Sequence, residues 1–419
     1  MRRNLQAALV GSLLATLVAT RASAAKYEWP QWQGPTRNCL TEETGLLKSW
    51  PESGPNRLWM IENCGTGYAG PAVVGGRIYI MGGRDDTCFL LTLDENTGKE
   101  IWAASLGPAL TNDWGDGPRG TPTVFGDFIY TMSGKGKLAC FRIKDGSEVW
   151  STSMVELGGK EPTWGYCESV LVDGDKVLCT PGGDQGAIAA LDKKTGNVLW
   201  RSTELNDGAQ YASISRAVFH GQPQYVQLFT SRLVGISPAD GKLLWQADWP
   251  GGKVAVIPTP IIGDSQVYVT SGYGAGCMLV QISDQNEATK VYENHEMKNH
   301  HGGVIRVGDY IYGHSDGVGW MCLDWATGEK KWREREKLTK GAIAYADGMF
   351  YLLGEEDGTV VLIDASPEGW QEHGRFTLSP LSTIRKDKGH IWTHPVIVDG
   401  KLFLRDQDHF YCYDVKNAP

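Results

Sequence analysis

The chain has 419 residues, of which 53 are glycine and 16 are tryptophan, and its formal net charge is −9. With 41% hydrophobic and 21% charged residues, it is typical neither of a disordered chain nor of a coiled coil, and its glycines lack the period of collagen. An acidic chain of this kind is also a poor candidate for binding nucleic acid.

The first predicted element is a secretory signal peptide at residues 1–24. Arg2 and Arg3 precede an uncharged apolar run at residues 7–20, and the small residues Ala22-Ser23-Ala24 follow. We therefore expect Sec export to the periplasm or out of the cell. No cysteine lies near the cleavage point, so a lipid anchor is not expected, and no other stretch predicts a membrane span.

Residues 25–53 form a predicted N-terminal extension. It carries the segment Trp29-Pro30-Gln31-Trp32-Gln33-Gly34-Pro35, whose two tryptophans are expected to pin it to the domain that begins at residue 54. A short apolar strand, Arg57–Ile61, then follows without a hairpin partner beside it in the sequence.

A repeat of about 40–50 residues organises residues 54–419. Its pattern is Leu-Asp-x-x-Thr-Gly-x-x-x-Trp, which predicts a tight turn followed by a strand with a large packing side chain. Complete, looser and degenerate copies together end at Trp102, Trp150, Trp200, Trp245, Tyr292, Trp332 and Trp370.

Eight tight hairpins alternate with these turns, each with a glycine that supplies the positive φ such turns require. Their glycines are Gly75, Gly126, Gly174, Gly221, Gly263, Gly308, Gly348 and Gly400. One hairpin, one Thr-Gly turn and one closing strand make four antiparallel strands, which is a propeller blade. The sequence therefore predicts an all-β fold: a single eight-bladed β-propeller at residues 54–419.

Ring closure is predicted from the two ends of the repeat region. The last blade has only three strands, ending with Phe410–Asp414, and the unpaired strand Arg57–Ile61 can supply the fourth. Such a clasp leaves no free sheet edge. Because a closed propeller needs no partner for its stability, we expect a monomer.

The Asp-x-x-Thr-Gly-x-x-x-Trp repeat resembles that of the PQQ-like β-propellers, and the match spans nearly the whole chain after the signal peptide. The layout is similar to secreted bacterial propellers and to the propeller lipoprotein of the outer-membrane assembly machinery. The family also includes quinoprotein alcohol dehydrogenases, which bind PQQ and Ca²⁺ beside two adjacent bridged cysteines. This sequence has no Cys-Cys pair and is shorter than those enzymes, so the resemblance implies the fold more than the activity.

Ligand sites of propellers form where the loops that enter the innermost strands meet around the central channel. Counting back from each hairpin reaches this mouth, at Cys167 and Ile257 among other residues. The predicted ligand-binding residues are Tyr68, Trp114, Arg119, Trp164, Tyr166, Glu168, Tyr211, His300, His301, Lys340, Trp392 and His394. They could stack a planar ring or a sugar, with Arg119 and Lys340 binding an anion. Alternatively, they fill the mouth and bond only to one another.

Metal chemistry is not expected at this mouth. His300 and His301 could ligate a metal or act as a base, but neighbouring side chains of an extended chain point in opposite directions. Glu168 is the one acidic residue of the mouth segments, whereas Ca²⁺ takes six or more oxygens. Cys167 and Cys179 flank one hairpin and could form a disulfide.

Two functional hypotheses from different classes follow. The first is an exported binding or scaffold protein of the cell envelope, which holds a protein, an envelope polymer or a small organic ligand at the channel mouth. The alternative is a PQQ-dependent oxidoreductase similar to the alcohol dehydrogenases, with PQQ as the one cofactor that the resemblance allows. A carbohydrate-binding accessory is a third option. No paired carboxylates mark a general acid and base, so we favour the first and assign no catalytic residue.

Overall fold

The structure is a computed structural model that describes residues 27–249, 251–252 and 254–417, so the predicted signal peptide lies outside it. The described residues form strands and no helix. The first strands, through the fourth blade, are β1 (Leu40–Thr41), β2 (Asn56–Ile61), β3 (Ala72–Val74), β4 (Arg77–Arg84), β5 (Thr87–Asp94), β6 (Glu100–Pro108), β7 (Thr123–Phe125), β8 (Phe128–Met132), β9 (Lys137–Arg142), β10 (Glu148–Ser153), β11 (Leu171–Asp173), β12 (Lys176–Cys179), β13 (Ala189–Asp192), β14 (Val198–Arg201), β15 (Ser215–Phe219), β16 (Gln222–Leu228), β17 (Arg232–Ile236) and β18 (Leu243–Asp248). The later strands are β19 (Ile261–Ile262), β20 (Gln266–Ser271), β21 (Gly276–Ile282), β22 (Ala288–Asn294), β23 (Val304–Val307), β24 (Tyr310–Ser315), β25 (Gly319–Asp324), β26 (Lys330–Glu334), β27 (Gly341–Ala346), β28 (Met349–Gly354), β29 (Thr359–Asp364), β30 (Glu372–Thr377), β31 (Val396–Val398), β32 (Lys401–Asp406) and β33 (His409–Asp414).

These strands form an eight-bladed propeller, as the repeat predicts. Seven antiparallel blades follow the chain in groups of four, from β3–β6 to β27–β30, and the eighth consists of β31–β33 with β2. The short first strands of neighbouring blades contact each other, as β3 does with β7 and β27 with β31, so these strands surround the channel. In the eighth blade β2 pairs antiparallel with β33, with Ile61 opposite Phe410. The predicted clasp is therefore confirmed.

The repeated Asp-x-x-Thr-Gly turn has a local chemical cause. In the third blade one carboxylate oxygen of Asp192 accepts hydrogen bonds from the amide of Thr195 at 2.9 Å and from its hydroxyl at 3.0 Å. Gly196 then adopts a φ of 74°, in the left-handed region that a residue with a side chain avoids. The turn thus requires an acceptor, a hydroxyl and a glycine at these spacings.

In several blades the repeated tryptophan links one blade to the next. Trp150, on the outer strand of the second blade, donates its indole N–H to the carbonyl of Lys193 in the third-blade turn at 2.9 Å. Its ring also covers Gly196, where an added Cβ would come within 2.7 Å of the indole. Trp59, Trp102 and Trp200 make the same two contacts with the following blade. Tryptophan therefore fills the wedge between blades, as predicted.

The N-terminal extension enters the central channel, which the sequence did not predict. Trp29 pairs antiparallel with Val73 on the inner strand of the first blade, whereas Leu40 and Thr41 pair in parallel with the inner strand β27. All inner strands run from the channel mouth towards the hairpins, so residues 27–41 enter from the hairpin side, turn below the mouth and return. We call residues 27–41 the plug hairpin.

Arg37 fastens the plug hairpin to the inner strands of the third and fourth blades. Its guanidinium donates to the carbonyls of Ser169 at 3.0 Å, Ile214 at 2.9 Å and Val170 at 2.5 Å, and to the Gln31 side chain at 2.9 Å. Burial lowers the pKa of Arg37 to about 10, so it remains a buried cation at neutral pH. Four acceptors offset the desolvation of this charge.

Candidate functional site

A cavity of about 270 Å³ occupies the mouth of the channel, above the tip of the plug hairpin. Its floor is Trp32, whose indole N–H donates to the hydroxyl of Thr259 at 3.0 Å. The same ring lies edge-on to His394, with centroids 4.8 Å apart. The plug hairpin therefore separates this mouth cavity from the channel.

Five rings, each in contact with the next, form one side of the mouth cavity. Tyr68 lies 5.1 Å from Trp392, which stacks on His301 at 4.4 Å and an interplanar angle of 23°. His301 is 3.8 Å from His300, and His300 meets the edge of Tyr273 at 4.6 Å. We call these five residues the aromatic wall. The stacked pair of Trp392 and His301 within this wall offers aromatic surface to a flat ligand.

The Tyr68 end of the wall is held by backbone contacts. The hydroxyl of Tyr68 donates to the carbonyl of Trp114 at 2.9 Å. The next residue is Gly115, and a Cβ added there would lie 2.0 Å from the hydroxyl oxygen of Tyr68. Arg405, fully buried, donates to the carbonyl of Ala69 and to three other backbone carbonyls. The loop that carries Tyr68 is therefore rigid on both sides.

The two adjacent histidines point the same way, and the prediction that they would point apart is wrong. The backbone bends at His301 and Gly302 instead of continuing extended. Gly302 lies so close to the next blade that an added Cβ would be 1.8 Å from the carbonyl of Gly341. This close approach turns the chain and places the His300 and His301 rings side by side.

Burial keeps the imidazoles of the mouth neutral. It lowers the pKa of His394 to about 4 and, together with the nearby Lys340 ammonium, that of His300 to about 3. Burial and the neighbouring His300 hold the pKa of His301 well below its usual value. At neutral pH these rings therefore contribute aromatic surface without charge.

Lys340 lies behind His300 and does not line the mouth cavity. Its ammonium is 2.7 Å from Nδ1 of His300 and 3.0 Å from the carboxylate of Asp316. Since an ammonium only donates, Nδ1 accepts and the neutral imidazole carries its proton on Nε2. Glu355 is 4.0 Å away, and burial raises the pKa of its carboxyl to about 7 despite this cation.

Arg119 is the charged residue of the cavity lining within the described chain. Its guanidinium donates to the carbonyls of Gly117 at 2.6 Å and Gly115 at 2.8 Å, and it lies over the Tyr68 ring at 5.3 Å from the centroid. No aspartate or glutamate of the described residues forms an ion pair with it. The cation is thus fixed in place without a carboxylate partner.

Comparison with known proteins decides the family. A family model described as outer membrane protein assembly factor BamB matches residues 90–334, more than half of the chain. The chain belongs to this family. A search of curated proteins found no match to this BamB-family propeller.

Two solved structures with TM-scores above 0.5 share the fold. BamB from Moraxella catarrhalis is 14% identical, with a TM-score of 0.55 over 80% of this chain and 95% of that one. The computationally designed Ika8 protein is 12% identical, with a TM-score of 0.59 over 86% of this chain and 100% of that one. Quinohemoprotein alcohol dehydrogenase ADHIIG from Pseudomonas putida HK5 is 10% identical, with a TM-score of 0.49 over 94% and 81%. Such identities show the fold alone.

This BamB-family propeller brings most of the predicted site residues together at one cavity. Those that line it are Tyr68, Trp114, Arg119, Trp164, Tyr211, His300, His301, Trp392 and His394. Cys167 and Ile257, reached by the same count along the repeat, line it as well. Their role in binding a ligand remains a prediction.

Three predicted residues lie outside the cavity lining. Tyr166 is buried and donates to the carbonyl of Pro181 at 3.3 Å, and Lys340 lies behind His300. Glu168 is buried in the wall of the channel, where its carboxylate accepts from the amide and the hydroxyl of Thr180 at 2.7 and 3.1 Å. Burial raises the pKa of Glu168 to about 7, opposed by these hydrogen bonds and by the charge of Arg37.

Sequence reasoning missed two aromatic residues of the cavity. Trp32 was expected to pin the extension, and Tyr273 lies in the turn between β20 and β21, outside the loops that were counted. Tyr273 has a φ of 56°, a strained conformation for an aromatic residue and a common mark of functional sites. The Trp-Pro-x-Trp motif was the available signal for Trp32.

The described residues contain no group of three or more His, Cys, Asp or Glu placed to hold a metal ion. All nine cysteines are buried free thiols, so Cys167 and Cys179 are not bridged. Within the same part of the chain, no helix is long and apolar enough to cross a membrane.

Proposed function

We propose that this protein is an exported, monomeric binding or scaffold protein of the cell envelope, which holds a small organic ligand or a partner at the mouth cavity. Residues 1–24 would be its signal peptide, 25–53 its extension and 54–419 its propeller. The observation that carries this proposal is the mouth cavity itself, closed below by Trp32 and lined by rings.

The lining favours binding over chemistry. It combines stacking surface with one fixed cation, Arg119, and with imidazoles that burial keeps neutral. Across the mouth from the aromatic wall, Trp164 and Tyr211 lie 6.2 Å apart and offer further stacking surface. Convergent aromatic groups with few polar ones are typical of small-molecule sites.

The quinoprotein alternative requires a site for Ca²⁺ and for PQQ, which is a tricarboxylic acid. Ca²⁺ takes about six to eight oxygen ligands, and none of the described residues that line the cavity is aspartate or glutamate. Among those residues, Arg119 alone carries a positive charge to meet the carboxylates. The residues of the cavity lining therefore do not fit Ca²⁺ and PQQ, which favours the binding function.

The experiment is a titration of the purified exported form with 2-naphthamide, a neutral bicyclic probe, followed by tryptophan fluorescence. We expect saturable quenching that Trp392→Ala weakens and that the control Trp370→Ala leaves unchanged, because Trp370 precedes β30 away from the cavity. Absence of saturable binding by both this probe and its carboxylate analogue, 2-naphthoate, would contradict the proposal. Binding of PQQ with Ca²⁺, together with dye-linked alcohol oxidation, would replace it with the dehydrogenase.

A further inference from the structure

We infer that the ligand of the mouth cavity is a planar aromatic monoanion of one or two rings, with its anionic group at Arg119 and its ring against the aromatic wall. The inference rests on the binding function proposed above. It names the chemical class of the ligand from the charge, the hydrogen-bonding capacity and the size of the cavity.

Charge gives the first argument. Arg119 supplies the positive charge among the described lining residues, and no described carboxylate pairs with it. Two of its five N–H groups are bonded to the carbonyls of Gly115 and Gly117, so its orientation is fixed and other donors stay available. A fixed guanidinium beside apolar rings forms its strongest hydrogen bonds with an anionic group. A ligand with a single negative charge neutralises the single positive charge of Arg119.

The position of the rings relative to Arg119 gives the second argument. The guanidinium lies 5.3 Å from the centroid of Tyr68, and Tyr68 lies 5.1 Å from Trp392. Arg119 and Trp392 are therefore both neighbours of Tyr68. A ring against the wall and an anionic group at Arg119 can thus belong to one short ligand.

The hydroxyl groups of the lining argue against a sugar. Ser169 and Ser213 line the cavity, but the hydroxyl of Ser169 accepts from the amide of Thr121 at 2.8 Å. The hydroxyl of Ser213 accepts in turn from the amide of Ser169 at 3.0 Å. A polyol needs several polar partners, and each of these two hydroxyls already accepts one bond from the backbone, which leaves fewer sites for a ligand.

Size gives the last limit. The cavity of about 270 Å³ is slightly smaller than the usual range for small-molecule pockets, about 300–1,000 Å³. Trp32 closes it below, so the ligand cannot extend into the channel. One or two fused rings fit this space.

The test compares 2-naphthoate with 2-naphthamide, which share a ring system and differ in charge, by calorimetric titration at neutral pH. We expect 2-naphthoate to bind at least about tenfold more tightly than the amide, because the amide carbonyl can accept from Arg119 but lacks the negative charge of the carboxylate. Arg119→Gln should reduce this ratio to about one. The control Arg335→Gln removes the same charge from a residue outside the cavity lining and should leave the ratio unchanged.

The possible outcomes distinguish a failure of this inference from a failure of the proposed binding function. Equal affinities for acid and amide in the wild-type protein would overturn the anionic ligand while leaving the binding function intact, as would a preference for methyl glucoside over both. A ratio that persists in Arg119→Gln would also overturn it. If neither naphthyl compound binds, the proposed function fails as well. The wild-type ratio needs no variant, so the test holds even if Arg119→Gln misfolds.

Discussion

The contact between one blade's tryptophan and the next blade's turn can be tested at Gly196. This glycine has a φ of 74°, and Gly174 in the same blade has a φ of 60°. A methyl group added at Gly196 would come within 2.7 Å of Trp150, whereas one added at Gly174 meets nothing within 4 Å. Both alanine substitutions carry the left-handed penalty of about 1–2 kcal/mol, and only Gly196→Ala adds overpacking of about 1–3 kcal/mol.

We therefore expect Gly196→Ala to lower the free energy of unfolding by about 2–5 kcal/mol and Gly174→Ala by about 1–2 kcal/mol. Urea unfolding followed by fluorescence measures both. The excess should disappear in a Trp150→Ala background, because the indole that the methyl group would strike is gone. Equal losses for the two glycines, or an excess that survives in that background, would refute the reasoning.

Three further predictions concern two buried carboxyl groups, the cysteine thiols and the floor of the mouth cavity. Burial raises the pKa of Glu168 and of Glu355 from 4.5 to about 7, so the folded state disfavours their ionisation. The free energy of unfolding should therefore fall as pH rises from about 4.5 to 7. Glu168→Gln should make this fall smaller, as measured by urea titrations at several pH values. All nine cysteines are buried, so a thiol reagent should label none in the native protein and nine after unfolding; rapid native labelling would contradict the structure. Trp32→Ala should open the cavity into the channel and raise the affinity for 4-biphenylcarboxylate relative to 2-naphthoate. The control Trp29→Phe should leave this ratio of affinities unchanged. An unchanged ratio in Trp32→Ala would mean that another residue forms the floor.

The ring of blades could be predicted because its causes are local. Asp192, Thr195 and Gly196 make their turn with one another, and the same residue types recur wherever the turn recurs. The clasp followed from counting strands. The plug hairpin could not be predicted in this way, because Arg37 is bonded to inner strands of two blades that lie far from it in sequence.

The candidate site was partly predictable for the same reason. Tyr68, Arg119 and Trp392 occupy equivalent positions of the repeat, so one count along the chain located them at one cavity. Lys340 has the same register but pairs with Asp316 and His300 behind the wall, a contact between two blades that the repeat does not encode.

The most direct test of the account is a crystal structure of residues 25–419 with 2-naphthoate. The account predicts the ring in the mouth cavity against Trp392, the carboxylate within hydrogen-bond distance of Arg119, and Trp32 beneath the ligand as part of a plug hairpin inside the channel. Naphthoate bound elsewhere, or a channel without residues 27–41, would contradict it.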